Sequence, residues 1–323
     1  FMLLTVYGCI LALSWFGAHE VVGGSLSTGE LTSLLTYGMN IMISLMMLSM
    51  AFVMLTLSTA SAERICQVFD EIPDIKDPEN PVFDVKDGSV DFDNVSFAYN
   101  TDAKEFVLSD IDIHIKSGET IGIIGSTGSS KSSLVSLIPR LYDATKGMVK
   151  VGGLDVKGYD VKTLRDNVSM VLQNNVLFSG SILDNLRWGN PDASEEECIH
   201  ACKLACADEF IEQMPEKYNT RIERGGNNVS GGQKQRVSMA GVMVDNVPIL
   251  LFDEPLANLD PATGKHSIEL IDEIQKQTGA AVIIVEHRLE DVLHRYVDRV
   301  IIMNEGKMSA DMNPDELLSM DIL

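Results

Sequence analysis

Residues 1–62 of this chain contain no lysine or arginine and only two acids, Glu20 and Glu30. Nothing else in the sequence restricts the fold as strongly, because so long a stretch with so little charge cannot form an ordinary water-facing surface. Phe1 to Ala18 is uncharged. At ~1.5 Å per residue a helix of that length covers ~27 Å, close to the ~30 Å hydrocarbon core of a bilayer. Leu31 to Ala62 is a second uncharged run, rich in Leu, Met and Ile. It exceeds what one span requires and is expected to tilt or to continue beyond the membrane. Between the runs, His19–Glu30 holds Gly23, Gly24, Ser25, Ser27 and Gly29, a composition suited to a short turn between antiparallel spans. Two transmembrane α-helices are therefore expected, at about 1–18 and 31–58. A secretory signal is disfavoured because no Lys or Arg precedes the first run. A buried soluble hairpin is disfavoured because uncharged runs of about 18 residues or more favour a membrane span. The chain does not start with Met, so it is expected to be a fragment or to have been cut.

The rest is strongly acidic. The 323 residues carry 25 Lys plus Arg against 47 Asp plus Glu, a net charge of −22. Only Glu20 and Glu30 precede residue 63, so residues 63–323 hold −20. With every Lys and Arg after residue 62, this part is expected to be cytoplasmic, with the turn at 19–30 facing outward. Such acidity argues against a sequence-independent nucleic-acid binder, which needs cations to neutralise phosphates. A hydrophobic content of 45% excludes intrinsic disorder. Five Cys in this length make no disulfide framework.

Residues 63–84 form a linker, in which Asp74-Ile75-Lys76-Asp77-Pro78-Glu79-Asn80-Pro81 is an exposed stretch. From about Val85 the alternation of Val90, Phe92, Val95 and Phe97 predicts an antiparallel strand. Strand-like runs then alternate with helix-like ones, at Thr120–Ile124, Val168–Leu172, Pro248–Phe252, Ala281–Glu286 and Arg299–Met303. That alternation predicts an α/β domain with a mainly parallel sheet over 85–323.

The first of these strands runs into Gly125-Ser126-Thr127-Gly128-Ser129-Ser130-Lys131-Ser132-Ser133, followed by helical periodicity at Leu134, Val135, Leu137 and Ile138. A strand, a loop of small residues and a helix are what a phosphate loop needs, since backbone N–H groups can wrap phosphate oxygens at the helix N-terminus. Lys131 is placed to reach the β- and γ-phosphates, and the Ser132 hydroxyl to hold Mg²⁺. One position departs from the pattern: glycine usually precedes the lysine, and Ser130 stands there. Serine is as small but tolerates fewer backbone angles, so binding is expected to survive with affinity affected.

Farther on come Ser230-Gly231-Gly232-Gln233 and the apolar strand Ile249-Leu250-Leu251-Phe252, which ends in Asp253-Glu254. With these residues the chain resembles an ATP-binding cassette (ABC) transporter subunit, over nearly its whole length. The resemblance implies a P-loop ATPase domain with a mainly parallel sheet, an antiparallel β-subdomain and a helical subdomain, preceded at 1–62 by the C-terminal end of a longer transmembrane domain. By the same resemblance Tyr99 stacks on adenine and Gln173 senses the γ-phosphate and Mg²⁺. Asp253 helps to hold Mg²⁺, Glu254 orients and deprotonates the attacking water, and His287 is the switch histidine. Ser230–Gln233, with Val229 where Leu is usual, matches the signature that contacts ATP bound by a second subunit. Ala257-Asn258-Leu259-Asp260 matches the dimer-interface loop. The implied cofactors are ATP and Mg²⁺. The implied partners are a second ABC subunit, the cell membrane and an unidentified transported substrate.

Two accents occur within the resemblance. Gly29-Glu30-Leu31, Ser61–Ile65, Leu177–Asn185 and Glu223 are similar to exporters, in which membrane helices and ATPase share one chain. From about Ala240, Asp253–Pro261 and Val285–Arg295 look like the ATPases of energy-coupling-factor importers. A join near Ser230–Val237, by recombination or by an error of sequence assembly, is the expectation drawn from this change, with lineage drift as the alternative. Cys198, Cys202 and Cys206 fall at i, i+4, i+8 and are expected to form a core-facing stripe rather than a zinc site. Glu195-Glu196-Glu197 is expected to be the first turn of a helix.

Overall fold

The two uncharged runs form helices α1 (Met2–Val22) and α2 (Thr28–Asp70). The helix α1 continues through His19 and Glu20, which shortens the turn to residues 23–27. Ser27 caps α2: its hydroxyl accepts from the Glu30 N–H, and the Glu30 carboxylate accepts from the Ser27 N–H at 2.8 Å. The acid nearest the second run is thus the helix start signal. At 1.5 Å per residue the 43 residues of α2 extend ~65 Å, far beyond a bilayer core. Both helices are long and apolar enough to cross a membrane. No residue of α2 is buried, and Leu45, Phe52 and Leu55 are all more than half exposed.

The computed structural model describes residues 2–100, 105–256, 261–287 and 297–319. The chain divides into two compact units, Phe1–Asp74 and Ile75–Leu323. The interface loop expected at Ala257–Asp260, including Asp260, lies outside the described residues, as does the Arg288–Arg295 part of the importer-like run.

In the second unit the strands are β1 (Val90–Phe97), β2 (Leu108–Ile115), β3 (Thr120–Ile124), β4 (Lys146–Val151), β5 (Leu154–Asp155), β6 (Val168–Val171), β7 (Gly180–Ser181), β8 (Arg221–Ile222), β9 (Ile249–Asp253), β10 (Ala281–Glu286), β11 (Arg299–Asn304) and β12 (Lys307–Met312). The helices are α3 (Lys131–Ser136), α4 (Val161–Asp166), α5 (Ile182–Leu186), α6 (Glu195–Leu204), α7 (Asp208–Ile211), α8 (Gly231–Val244), α9 (Pro261–Thr278) and α10 (Pro314–Ser319). The strands β2-β1-β4-β5 make an antiparallel sheet, and β12-β11-β3-β10-β9-β6 make the central one. The central sheet is parallel except for β12.

The apolar positions of β1 step by two, then by three from Phe92 to Val95, then by two again. A register irregularity lies at that step against both neighbours, and Asn94 there has φ 48°. The bulge absorbs the extra residue and returns Val95 and Phe97 to the buried face.

The central strands β9 and β10 are buried on both faces. Alternate residues enter two different cores. Leu250, Phe252, Val282 and Ile284 pack with Ile182, Cys202 and Val237 of the helical side. Ile249, Leu251, Ile283 and Val285 pack with Phe92, Ile113 and Leu134 on the other. Cys198 and Cys202 are fully buried in the helical core, where burial pushes both thiols up, while Cys206 is half-buried. The three glutamates 195–197 open α6, with Glu197 completing a capping box on Ser194.

Candidate active site

The adjacent parallel strands β3, β10, β9 and β6 end side by side, with Ile124 opposite Glu286, Val285 opposite Asp253 and Phe252 opposite Val171. The segment leaving each strand carries an expected site residue. Ligands bind at the carboxyl ends of such sheets, and the register brings residues far apart in sequence to one place.

The phosphate loop leaves β3 at Gly125. A Cβ there would lie 2.3 Å from the Met303 carbonyl oxygen and 2.6 Å from Ser129 Oγ, so only glycine lets the loop pass β11. Ser130 has φ 70° and ψ 22°, in the left-handed region. The one departure from the usual pattern therefore sits at a position whose conformation favours glycine.

Lys131 is 4% exposed and lies along the loop. Its Nζ donates to Gly125 O at 2.7 Å, Ser126 O at 3.2 Å and Ser129 Oγ at 3.3 Å. Burial pulls its pKa down from the usual lysine value, while the carboxylates of Glu254, Asp253 and Glu286 oppose that shift. The Ser132 hydroxyl donates to Asp253 Oδ1 at 3.0 Å. Burial raises the Asp253 carboxyl above the usual range, and the Ser132 hydrogen bond works against it.

Glu254 follows with φ 50°, and its N–H donates to Val285 O at 2.9 Å. Its carboxylate accepts from Gln173 Nε2 and pairs with His287 Nε2. His287 Nδ1 lies 3.3 Å from Lys131 Nζ. The same Nδ1 also lies 3.2 Å from the Gly125 carbonyl oxygen, so the ring sits between the loop and Glu254. Lys131, His287, Glu254 and Gln173 thus form one chain of side-chain contacts, and Ser132 and Asp253, each next in sequence to a member of it, pair beside it.

Tyr99 reaches the end of the phosphate loop, its Oη 2.8 Å from Ser133 Oγ. Its ring stands edge-on to Phe97 at 4.9 Å and to Tyr142 at 5.1 Å, and the residue is 55% exposed. Ser230 and Gln233 cap the start of α8: the Gln233 N–H donates to Ser230 Oγ, and the Ser230 N–H to Gln233 Oε1. Among the described residues, no hydrogen bond or ion pair joins Ser230–Gln233 to Gly125–Ser133.

Sequence reasoning missed three participants. Glu286 is 5% exposed beside this network; the signal available was a lone acid closing an otherwise apolar strand. Tyr142 buttresses Tyr99. Asn175 Nδ2 donates to Gln235 Oε1, linking the segment after Gln173 to the helix that follows the signature. Neither of the latter two carried a usable signal, because both depend on long-range packing.

The profile of the ABC transporter family matches residues 108–257. YgaD of Bacillus subtilis (strain 168), provisionally named a multidrug export ATP-binding/permease protein, is 38% identical over 301 residues, covering 93% of this chain and 51% of that protein. ABC transporter B family member 1 of Dictyostelium discoideum is 34% identical over 315 residues, covering 96% of this chain and 34% of that protein. The structure of a bacterial Atm1-family ABC exporter with ATP bound matches with a TM-score of 0.78 at 29% identity, covering 100% of this chain and 55% of that one. The chain thus spans about half the length of YgaD and of the solved exporter. An alignment of 301 residues in a chain of 323 necessarily runs through position 240, so exporter similarity continues past the point where importer-like motifs begin. With its phosphate loop and acid pair inside the matched region, and similarity to ATP-binding/permease proteins over nearly its whole length, the chain belongs to the ABC transporter family.

Proposed function

We propose that this chain is the ATP-hydrolysing part of an ABC exporter subunit, coupling ATP hydrolysis to outward movement of an unidentified substrate. The observation that carries the reading is the connected network at the strand ends, in which Glu254, Gln173, His287 and Lys131 touch one another. Lys131 and the N–H groups of Gly125–Ser133 bind the phosphates. Tyr99 offers its exposed ring to the adenine.

The donor set fits Mg²⁺: the Ser132 hydroxyl and the Asp253 carboxylate lie 3.0 Å apart, both oxygen ligands, with the Gln173 side chain nearby on Glu254. When bound, Mg²⁺ neutralises charge on the phosphate oxygens. Glu254 orients a water and takes its proton. His287 holds the Glu254 carboxylate in place.

The signature Ser230–Gln233 makes its contacts away from the chain's own phosphate loop, which supports a second subunit supplying it in trans, with Asp260 in the loop between the subunits. The helices α1 and α2 are read as spans of a multi-pass protein in the cell membrane. The ATPase domain then lies in the cytoplasm, since every Lys and Arg follows the second span.

The test is Glu254→Gln in the chain reconstituted in lipid nanodiscs. Turnover should be largely lost, with ATP retained in a closed dimer measured by crosslinking or light scattering. Wild-type turnover in that variant would remove Glu254 as the base.

A further inference from the structure

Glu254, at φ 50°, adopts a backbone conformation that is strained for a non-glycine residue and persists only where its surroundings hold it. Two hydrogen bonds hold it here, one on each side of the bend. The Glu254 N–H donates to the Val285 carbonyl at 2.9 Å, and the Leu256 N–H donates to Glu286 Oε1 at 3.2 Å. Pro255 between them has no N–H to offer, so Leu256 supplies the first amide donor after Glu254. Both acceptors belong to the last two residues of β10. The first is main chain and available from any residue. The second is a side chain: the Glu286 carboxylate, 5% exposed at the end of a strand whose other residues, Ala281 to Val285, are all apolar and buried, has a main-chain donor in Leu256.

We propose that Glu286 is a positioning residue: by accepting the Leu256 N–H it clamps the Asp253–Leu256 turn to β10 and keeps Glu254 in the left-handed conformation that aims its carboxylate at His287 and Gln173. The proposal rests on the reading of Glu254 as the base. It also joins two pieces of the site mechanically, because His287 is the next residue after Glu286. Movement of the end of β10 therefore carries the switch histidine and the clamp on the base together. A competing role for Glu286, as a negative charge beside Lys131, depends on ionisation rather than on hydrogen-bond acceptance. Glutamine separates the two, since it keeps an acceptor oxygen at the same distance along the side chain and removes the charge.

The experiment compares Glu286→Ala and Glu286→Gln with the wild-type chain in nanodiscs, with Glu254→Gln as a reference. It reads kcat and KM for ATP, the Kd of a fluorescent ATP analogue with Mg²⁺, and amide hydrogen exchange at Leu256. Pro255 carries no exchangeable amide, which makes that position easy to isolate. Glu286→Ala should lower kcat on the order of 10-fold or more, the scale of a slightly misplaced catalytic group, with Kd within about twofold. Exchange at Leu256 should quicken in the same variant. Glu286→Gln should recover most of the kcat and the slow exchange. Unchanged Leu256 exchange in Glu286→Ala overturns the clamp, and equal loss of kcat in both variants assigns the effect to charge and overturns it too. Full turnover in Glu254→Gln instead defeats the reading of Glu254 as base, while Leu256 exchange still reports on the clamp independently.

Discussion

Replacing Ser130 by glycine should tighten ATP binding. Ser130 stands at φ 70° and ψ 22°, and its hydroxyl makes no capping hydrogen bond to α3. A left-handed conformation costs an L-residue roughly 1–2 kcal/mol relative to glycine. Glycine also carries ~0.5–1 kcal/mol of extra unfolded-state entropy, which offsets much of that gain in global stability. Binding is a cleaner measure, because both end states are folded and the unfolded-state contribution drops out. The strain then matters to the extent that the free loop relaxes away from the binding geometry. Recovery of ~1 kcal/mol corresponds to about a fivefold lower Kd. Isothermal titration of ATP with Mg²⁺ into the Gly, Asn, Ser and Val series at position 130 measures this. Glycine should bind most tightly, asparagine next because it tolerates left-handed angles, then serine, with β-branched valine weakest. The melting temperature should change little between glycine and serine. If glycine binds no better than serine and valine no worse, backbone strain at Ser130 does not limit affinity, and the reasoning fails.

Other outcomes follow from the same structure. Burial holds the Asp245 carboxyl above its usual range, against a hydrogen bond from Ser169 at 2.6 Å, and its Oδ1 has no partner among the described residues. A raised folded-state pKa gives stability that is fully present below the ordinary carboxyl value of ~3.9 and lost as pH rises through the folded value. Asp245→Asn should therefore raise the melting temperature at pH 7, and the gain should shrink as pH falls toward the ordinary carboxyl range. Tyr99→Ala should weaken ATP binding by ~5-fold or more, as loss of one aromatic–base stack implies, while tripolyphosphate binding stays unchanged. Equal loss for both ligands would contradict a base contact. Lys131→Ala should abolish nucleotide binding or turnover, measured by the same titration and by phosphate release.

Much of the site could be read along the chain because its chemistry is local. The strand–loop–helix around Gly125–Ser133 needs only a buried strand, small residues and one lysine in sequence. The limits of β3 and β10 coincide with the apolar runs Thr120–Ile124 and Ala281–Glu286, since strands buried on both faces appear as short unbroken apolar stretches. Val90, Phe92, Val95 and Phe97 read in sequence as an alternation, and only the pairing with β2 and β4 identifies the step of three as a bulge. The two long helices could be anticipated from the absence of charge, and the extra length of α2 from its run of 32 uncharged residues.

What the residues alone determined, then, was membership: a nearly uncharged membrane-type segment, an acidic α/β domain and the chemical groups for binding a nucleoside triphosphate. Tertiary structure decided how those groups meet. Gln173 and Glu254 lie 81 positions apart, Ser132 and Asp253 121 apart, and Lys131 and His287 156 apart. Each contact exists because the strands that carry them lie in register across one parallel sheet. The same register bends Glu254 to φ 50° and places Glu286 behind it. Side-chain chemistry is written residue by residue, whereas backbone strain and the groups that hold it arise only when distant strand ends are brought together.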